Sequence, residues 1–443
     1  TFDLQRLVSE PQGRVESAAR MNGADYRLAT DAHLRNQAEL DLAKLTASAP
    51  GVAATGDLTL DIVRLLLRGR ANVNATDLAP MAPLAGLPLG GRAQVSARFE
   101  TLNGQQQVAA DIKGNGLRIA DVALGSLEGR VKVDDALGTP RGDVALTGRD
   151  LVAEGATLNR WQVGAQGSLK QATFNLSLNG EASGPVSAQA AGNAGIDGAR
   201  WQVGLRSLEA RHGNIPVRLD RPTELRGEAS AFRLAAMEMT VGTAKLSLAG
   251  GLAKDQVDGY LRTGAFPLAL LRTVQPDLPV RGSLQIDMTA SGPAAAPRIA
   301  GTVRSNDLRM RRSEVAVALD LALALANGRL EARATVGNLA ERPLLANAVV
   351  PMRLSLVPWR LEWSAEDPIE GRLSGNLDLA RVLPPLIPDG DTVSGVADVQ
   401  ASLAGTLSRP IVNGGMKLNG GRYESATAEA TIADLSLDVA AEG

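Results

Sequence analysis

The feature that most constrains this chain is an alternation of large apolar with small or polar residues, repeated along almost its whole length. Leu284, Ile286 and Met288 alternate with Gln285 and Asp287; Phe174, Leu176 and Leu178 alternate with Asn175 and Ser177. Leu435, Leu437 and Val439 alternate with Ser436 and Asp438. The longest series is Val315, Val317, Leu319, Leu321, Leu323 and Leu325, with Ala or Asp between. A strand sends residues i, i+2 and i+4 to one face. Each segment therefore predicts a strand with one apolar and one polar face. Asn-Gly pairs at 103–104, 115–116, 179–180, 327–328 and 419–420 supply the positive φ angles of tight hairpins. The expectation is an all-β chain, a meander of antiparallel strands. At about 11 residues per strand and turn it holds roughly 40 strands. Helical signals are few: residues 18–45 have mixed periodicity, and residues 61–68 read equally as a short helix or an apolar strand.

Three short segments share a beginning: Asp77-Leu78-Ala79-Pro80-Met81, Pro267-Leu268-Ala269-Leu270-Leu271 and Asp378-Leu379-Ala380-Arg381-Val382. In each, a Leu is followed three residues later by a second apolar residue, one turn of helix, and Asp or Pro stands at the favoured N-terminal position. A glycine then opens a new strand: Gly91, Gly282 and Gly395. The last two copies continue in parallel, with Gly282 to Gly292 aligning on Gly395 to Gly405, and Pro297 to Gly301 on Pro410 to Gly414. Such a repeat implies stacked units. It predicts a β-rich segment with room for a short helix at 1–76, repeat units at 77–265 and 266–376, and a third, truncated unit at 377–443.

Composition removes most other classes. The chain is 44% hydrophobic but 3% aromatic, so its apolar mass is Ala, Leu and Val. With 46 basic and 48 acidic residues it has no basic field for nucleic acid. It has no cysteine, hence no disulfide framework or cysteine-held zinc. The uncharged, apolar stretch at residues 79–91 carries Pro80, Pro83 and Pro88. The run 315–326 is about half of the ~20 residues a membrane helix needs and contains Asp320. His33 and His212 are the only histidines and lack metal-like spacing, so a structural role is expected for both. No Gly-x-Ser-x-Gly elbow occurs. The acid pairs Asp134-Asp135 and Glu366-Asp367 fall where solvated turns are expected. No enzyme, metal or cofactor is expected. Arg309, Arg311 and Arg312 form a basic cluster suited to a solvated face, with lipid headgroups as the rarer use.

The Leu-Ala turn, the Gly-x9-Gly strand and the X-Pro-X-X-X-Gly continuation resemble the repetitive region of the TamB family, within the AsmA-like group of Gram-negative bacteria. The stretch Gly56-Asp57-Leu58-Thr59-Leu60-Asp61 before the first repeat is similar too. The resemblance covers most of the chain, and Ala- and Arg-rich usage fits a high-GC proteobacterial source. It implies a periplasmic segment of a parent chain anchored in the inner membrane, with Thr1 and Gly443 as cuts in that longer chain. It also implies strands curled into an open apolar trough, taco-like or β-solenoid-like. Family members are associated with moving phospholipid to the outer membrane and, with TamA, with outer-membrane protein assembly. The implied partners are phospholipid acyl chains and, through regions outside residues 1–443, a TamA-like protein.

Exposing a lipid chain costs ~0.8 kcal/mol per methylene, so a sixteen-carbon chain costs roughly 12 kcal/mol. A dry apolar surface removes most of that barrier without chemistry. The expected lipid-groove residues are Phe174, Leu176, Leu178, Leu284, Ile286, Met288, Val315, Val317, Leu319, Leu321, Leu323, Leu325, Leu435, Leu437 and Val439. The alternative is a secreted β-solenoid adhesin or passenger domain acting through its outer surface, a class that favours Asn, Ser and Thr over Leu and Ala. An outer-membrane barrel would need aromatic girdles, which four Trp and three Tyr do not supply.

Overall fold

The computed structural model describes residues 2–5, 10–21, 24–153, 155–273, 278–310, 315–363, 365–384, 387–388, 390–426 and 428–442. The chain is all-β, with a few short helices, and divides into two units, Thr1–Pro216 and Val217–Gly443. In the first unit strands pair in simple chain order, each from Gln12–Met21 to Arg200–His212 lying antiparallel to the next. In the second the same meander steps over three insertions. Gln256–Thr263 pairs with Ser283–Pro293, Leu344–Leu356 with Glu370–Asp378, and Glu370–Asp378 with Val396–Gly405. Every described pairing is antiparallel, unlike the parallel coils of a β-helix. Strands reach 15 and 16 residues, as in Gln105–Ile119 and Pro410–Ser425. The described residues accordingly hold 32 strands, fewer than a uniform short spacing predicts.

The Asn-Gly pairs divide into two uses. Asn103-Gly104 and Asn327-Gly328 form two-residue turns with both φ angles positive. The other three lie inside strands: Asn115-Gly116 in Gln105–Ile119, Asn179-Gly180 in Gln171–Glu181 and Asn419-Gly420 in Pro410–Ser425. The pairing register shifts beside each of them. Gly116 and Gly420 have positive φ, which serves a bulge as well as a turn, whereas Asn179-Gly180 has ordinary φ and lies opposite a bulge at Leu158/Arg160; all three are corrections to the hairpin expectation. Residues 61–68 are neither helix nor a single strand. Val52–Asp61 turns into Leu66–Ala75, and the Asp61 carboxylate accepts the Val63 and Arg64 N–H groups at 3.1 and 2.9 Å.

The three Leu-Ala segments are the helices. The 3-10 turn Ala79–Met81 runs into Ala82–Ala85; Leu268–Thr273 is 3-10; Leu379–Val382 is a single α-turn. Asp378 caps its helix by accepting the Ala380 N–H at 3.0 Å, and Asp77, one residue ahead of the N-cap Leu78, accepts the Ala79 N–H at 2.9 Å. All three are tied down identically. The N–H of Leu78, Leu268 and Leu379 donates to the carbonyl of Gly91, Gly282 and Gly395 at 2.9, 2.8 and 2.9 Å.

Those three glycines have φ of 95°, 124° and 129°, and each faces a bulge in the following long strand. An Asn lies in each bulge segment, at 115, 306 and 419, always 24 residues after its glycine. A Cβ at Gly282 would lie 2.5 Å from the Asp307 carbonyl oxygen.

Gly282→Ala is therefore expected to cost about 1–3 kcal/mol, read as a lowered urea midpoint. Gln285→Ala, at an exposed position without positive φ in the strand that Gly282 opens, should cost less. Asp307 itself supplies a pH test. Its partial burial favours the neutral acid, but hydrogen bonds from the Ser283 N–H and hydroxyl, both 2.9 Å, and from the Ser305 hydroxyl at 3.3 Å outweigh it and hold its pKa below the ordinary value. The resulting stability is present above the unfolded pKa of about 3.9 and is lost as pH falls through the lower folded value. Asp307→Asn should thus unfold more easily than the parent at pH 7. The difference should shrink in urea titrations below about pH 4.

Candidate functional site

Registers decide which side chains share a face. In the second unit Ile286, Val303, Leu321, Ala334, Ala346, Leu373, Ala401, Gly414 and Ala441 lie directly opposite one another across successive strands. One residue along, Asp287, Thr302, Ala322, Arg333, Asn347, Arg372, Ser402 and Asn413 form the neighbouring row on the other face. The first unit repeats the arrangement. Its row Val73, Val95, Ile112, Gly129, Leu146, Val163, Leu176, Ala190 and Leu208 is apolar throughout. The adjacent row Asn74, Gln94, Lys113, Glu128, Thr147, Gln162, Ser177, Gln189 and Glu209 is polar throughout. Each unit thus has one apolar and one hydrated face.

The residues picked out by alternation fall as follows. Phe174, Leu176 and Leu178 stand opposite Ala165, Val163 and Trp161 on the apolar face of the first unit. Ile286 and Met288, with Leu284 two residues earlier in the same strand, share the apolar face of the second unit with Leu319, Leu321, Leu323 and Leu325. Val317 reaches that face past a bulge, opposite Leu308. Leu437 and Val439 join it through Leu418 and Met416, and Leu435 packs beside Leu418. Val315 is a correction: the strand is Val317–Ala326, and Val315 precedes it. Of the basic cluster, Arg309 lies in Arg298–Met310, while Arg311 and Arg312 lie outside the described residues.

Within each unit, no second layer of described residues packs over these faces. The buried apolar residues sit at strand ends, where the short helices and turns cross: Leu379, Ala397 and Leu418 form one such cluster, and Leu66, Ala75, Ala244, Leu268 and Leu325 occupy similar places. Mid-strand leucines are half-buried by their neighbours only, and no large described side chain is fully buried. The chain exposes 27460 Å². Even two separate compact globules of half its mass would expose only about 19,000 Å². Apolar expanses beyond a few hundred Å² mark interaction surfaces. On the first unit a shallow recess of about 290 Å³ lies among Leu28, Ala47, Ala49, Val52 and Ala54.

The face also explains part of the glycine content. Gly148 and Gly301 lie in strands, and a Cβ there would fall 2.4 Å from the Trp161 ring and 2.2 Å from the Met288 sulfur. Trp161 and Met288 therefore lie flat across the backbone of the next strand. Sequence reading took glycine as a turn marker and missed this use. The signal was present, since Gly148 and Gly301 occupy apolar positions of alternating runs.

Electrostatics belong to the other face. Arg304–Asp320, Arg262–Asp287 and Lys417–Asp438 bridge neighbouring strands, and Arg233–Asp258 reaches over Gly251 of the strand between, at 3.2 to 3.4 Å, all exposed. Such pairs add little stability but keep that face wet. The carboxyls with shifted pKa values, Asp41, Asp220, Asp307 and Glu424, are all lowered. A general acid needs the opposite shift. His33 lies 3.9 Å from Glu10, and His212 Nε2 lies 2.8 Å from the Ala182 carbonyl oxygen. Among the described residues no three His, Asp or Glu side chains gather to hold a metal, and no helix is long and apolar enough to cross a membrane.

Comparison with known proteins agrees with this architecture. No curated protein matches the chain. The family pattern described as TamB, N-terminal domain, matches residues 21–418. With nine-tenths of its length inside that match, the chain belongs to the TamB family.

Proposed function

We propose that this chain is a periplasmic lipid-carrying segment, which shields phospholipid acyl chains along the apolar face of each unit as they pass between the inner and outer membranes. Family membership ties it to the translocation and assembly module of the Gram-negative envelope. The finer reading rests on one observation: a predominantly one-sided apolar face with no layer of described residues covering it within its unit. An ordinary two-layer domain would use that face as its core. A surface that only needs to replace water around methylenes calls for Leu, Val and Ala without specific polar contacts, so that nothing holds the lipid in one place. Contact with a TamA-like outer-membrane protein belongs to the same proposal, through regions outside residues 1–443.

Two experiments test it. The chain has no cysteine, so single cysteines can be walked along Val317–Ala326. Those replacing Leu319, Leu321 and Leu323 should be protected from a charged maleimide by added phospholipid. Those replacing Asp320, Ala322 and Ala324 should not. Equal protection at both sets removes the one-sided face as the lipid site. Second, Leu321→Asp places a charge whose desolvation costs several kcal/mol beneath passing chains. Lipid photocrosslinking at neighbouring Leu323 should fall about tenfold or more, with Asp320→Asn unaffected. Normal crosslinking in a normally abundant Leu321→Asp protein would refute the carrier mechanism; if that protein is degraded, the milder Leu321→Asn takes its place.

A further inference from the structure

At one place the apolar face of the second unit does not stop at the strand ends. Leu344–Leu356 outruns its neighbour Glu370–Asp378, crosses the adjoining turns and returns as Trp359–Trp363. The Met352 N–H donates to the Gly328 carbonyl at 2.9 Å and the Leu356 N–H to the Ala294 carbonyl at 2.8 Å. The hairpin is therefore laid along the rim of the sheet rather than left free. Alternation along the strand makes Met352, Leu354 and Leu356 the continuation of Ala346, Ala348 and Val350, and Trp363, Leu361 and Trp359 stand directly opposite them.

The outer strand is exposed: Trp359 by 69%, Leu361 by 44% and Trp363 by 55%. Two of the four tryptophans of the chain stand here. Arg360 stands opposite Ser355 and Arg353 opposite Glu362, and neither arginine makes an ion pair among the described residues. A row of exposed tryptophan and leucine backed by unpaired guanidinium groups matches an amphiphile with apolar chains and an anionic phosphodiester.

We infer that the hairpin Met352–Trp363 is a side port of the apolar face, where a phospholipid enters or leaves laterally. Its chains run from the tryptophans onto the sheet, and its phosphate is met by Arg353 and Arg360. The inference rests on the lipid-carrier reading and adds a place and a headgroup contact to it.

The test loads the 443-residue chain with fluorescent phosphatidylglycerol and follows exchange with phosphatidylglycerol vesicles. Benzophenone crosslinkers are placed separately at positions 321 and 359. Trp359→Ser with Trp363→Ser should slow exchange about tenfold, leaving the melting curve and the crosslink at 321 unchanged. Arg353→Glu with Arg360→Glu should slow it too, most at low salt, and excess inorganic phosphate should not compete. Lipid captured at 321 but not at 359, or exchange untouched in both double variants, overturns the port while leaving the carrier reading intact. Inhibition by phosphate alone would assign the arginines to a free anion and likewise overturn it. Lipid absent from position 321 in the parent would refute the carrier reading, and the port with it.

Discussion

Strand register is the constraint on which everything else here depends. Side chains alternate with a period of two, so a slip of one residue in any hairpin would carry every later leucine to the opposite face. In the first unit the row from Val73 to Leu208 survives eight successive pairings without an error. It does so despite bulges, which would be expected to scramble it. Some bulges lie beside an inserted short helix and opposite a glycine of positive φ, others in mid-strand, as between Ala191 and Gly192, and the pairing beyond each shift restores the alternation. Gly91, Gly282 and Gly395 thereby act as register keepers: each admits the extra residues of a facing bulge without displacing the strand it opens.

A face preserved in this way would usually be closed by a second sheet or a helical layer. Here the helices are too short to do so and are confined to strand ends, where Leu268 and Leu379 are buried. They secure the rims and leave mid-strand positions such as Leu321 half-buried. Half-burial is what a row of leucine, alanine and glycine achieves from lateral neighbours alone. The low aromatic content follows from the same geometry, because a ring on an uncovered face needs a gap beside it. Trp161 obtains one over Gly148. The opposite face carries the compensating chemistry. Its cross-strand ion pairs contribute little energy, but their hydration discourages sheets from stacking on that side.

The hairpin Met352–Trp363 departs from this pattern. Elsewhere on the second unit the apolar rows end in short polar turns such as Lys254-Asp255 and Asn327-Gly328. Here the row continues past the turns and trades alanine for tryptophan, with Arg360 opposite Ser355 and Arg353 opposite Glu362. The exception concentrates aromatic surface and two arginines that make no ion pair among the described residues on the same twelve residues.

The sequence by itself determined the strand content, the two-sided character of each strand, and the three short helices at Leu78, Leu268 and Leu379. These are local matters: the period of two, a capping Asp and a proline act within a few residues. The sequence also carried the family texture that the match over residues 21–418 bears out. It did not reveal that Asn115-Gly116 and Asn419-Gly420 serve bulges rather than hairpins, because positive φ suits both, nor that Asn179-Gly180 lies in an extended strand opposite a bulge. It did not place Val315 ahead of its strand, nor expose Gly148 and Gly301 as seats for side chains from the next strand. Only the tertiary structure decided that strands far apart in sequence present the same face, and that no second layer of described residues covers it within its unit. That outcome depends on the sum of every register shift between them, and the pattern of any single strand is the same whether its apolar side meets a core or open space.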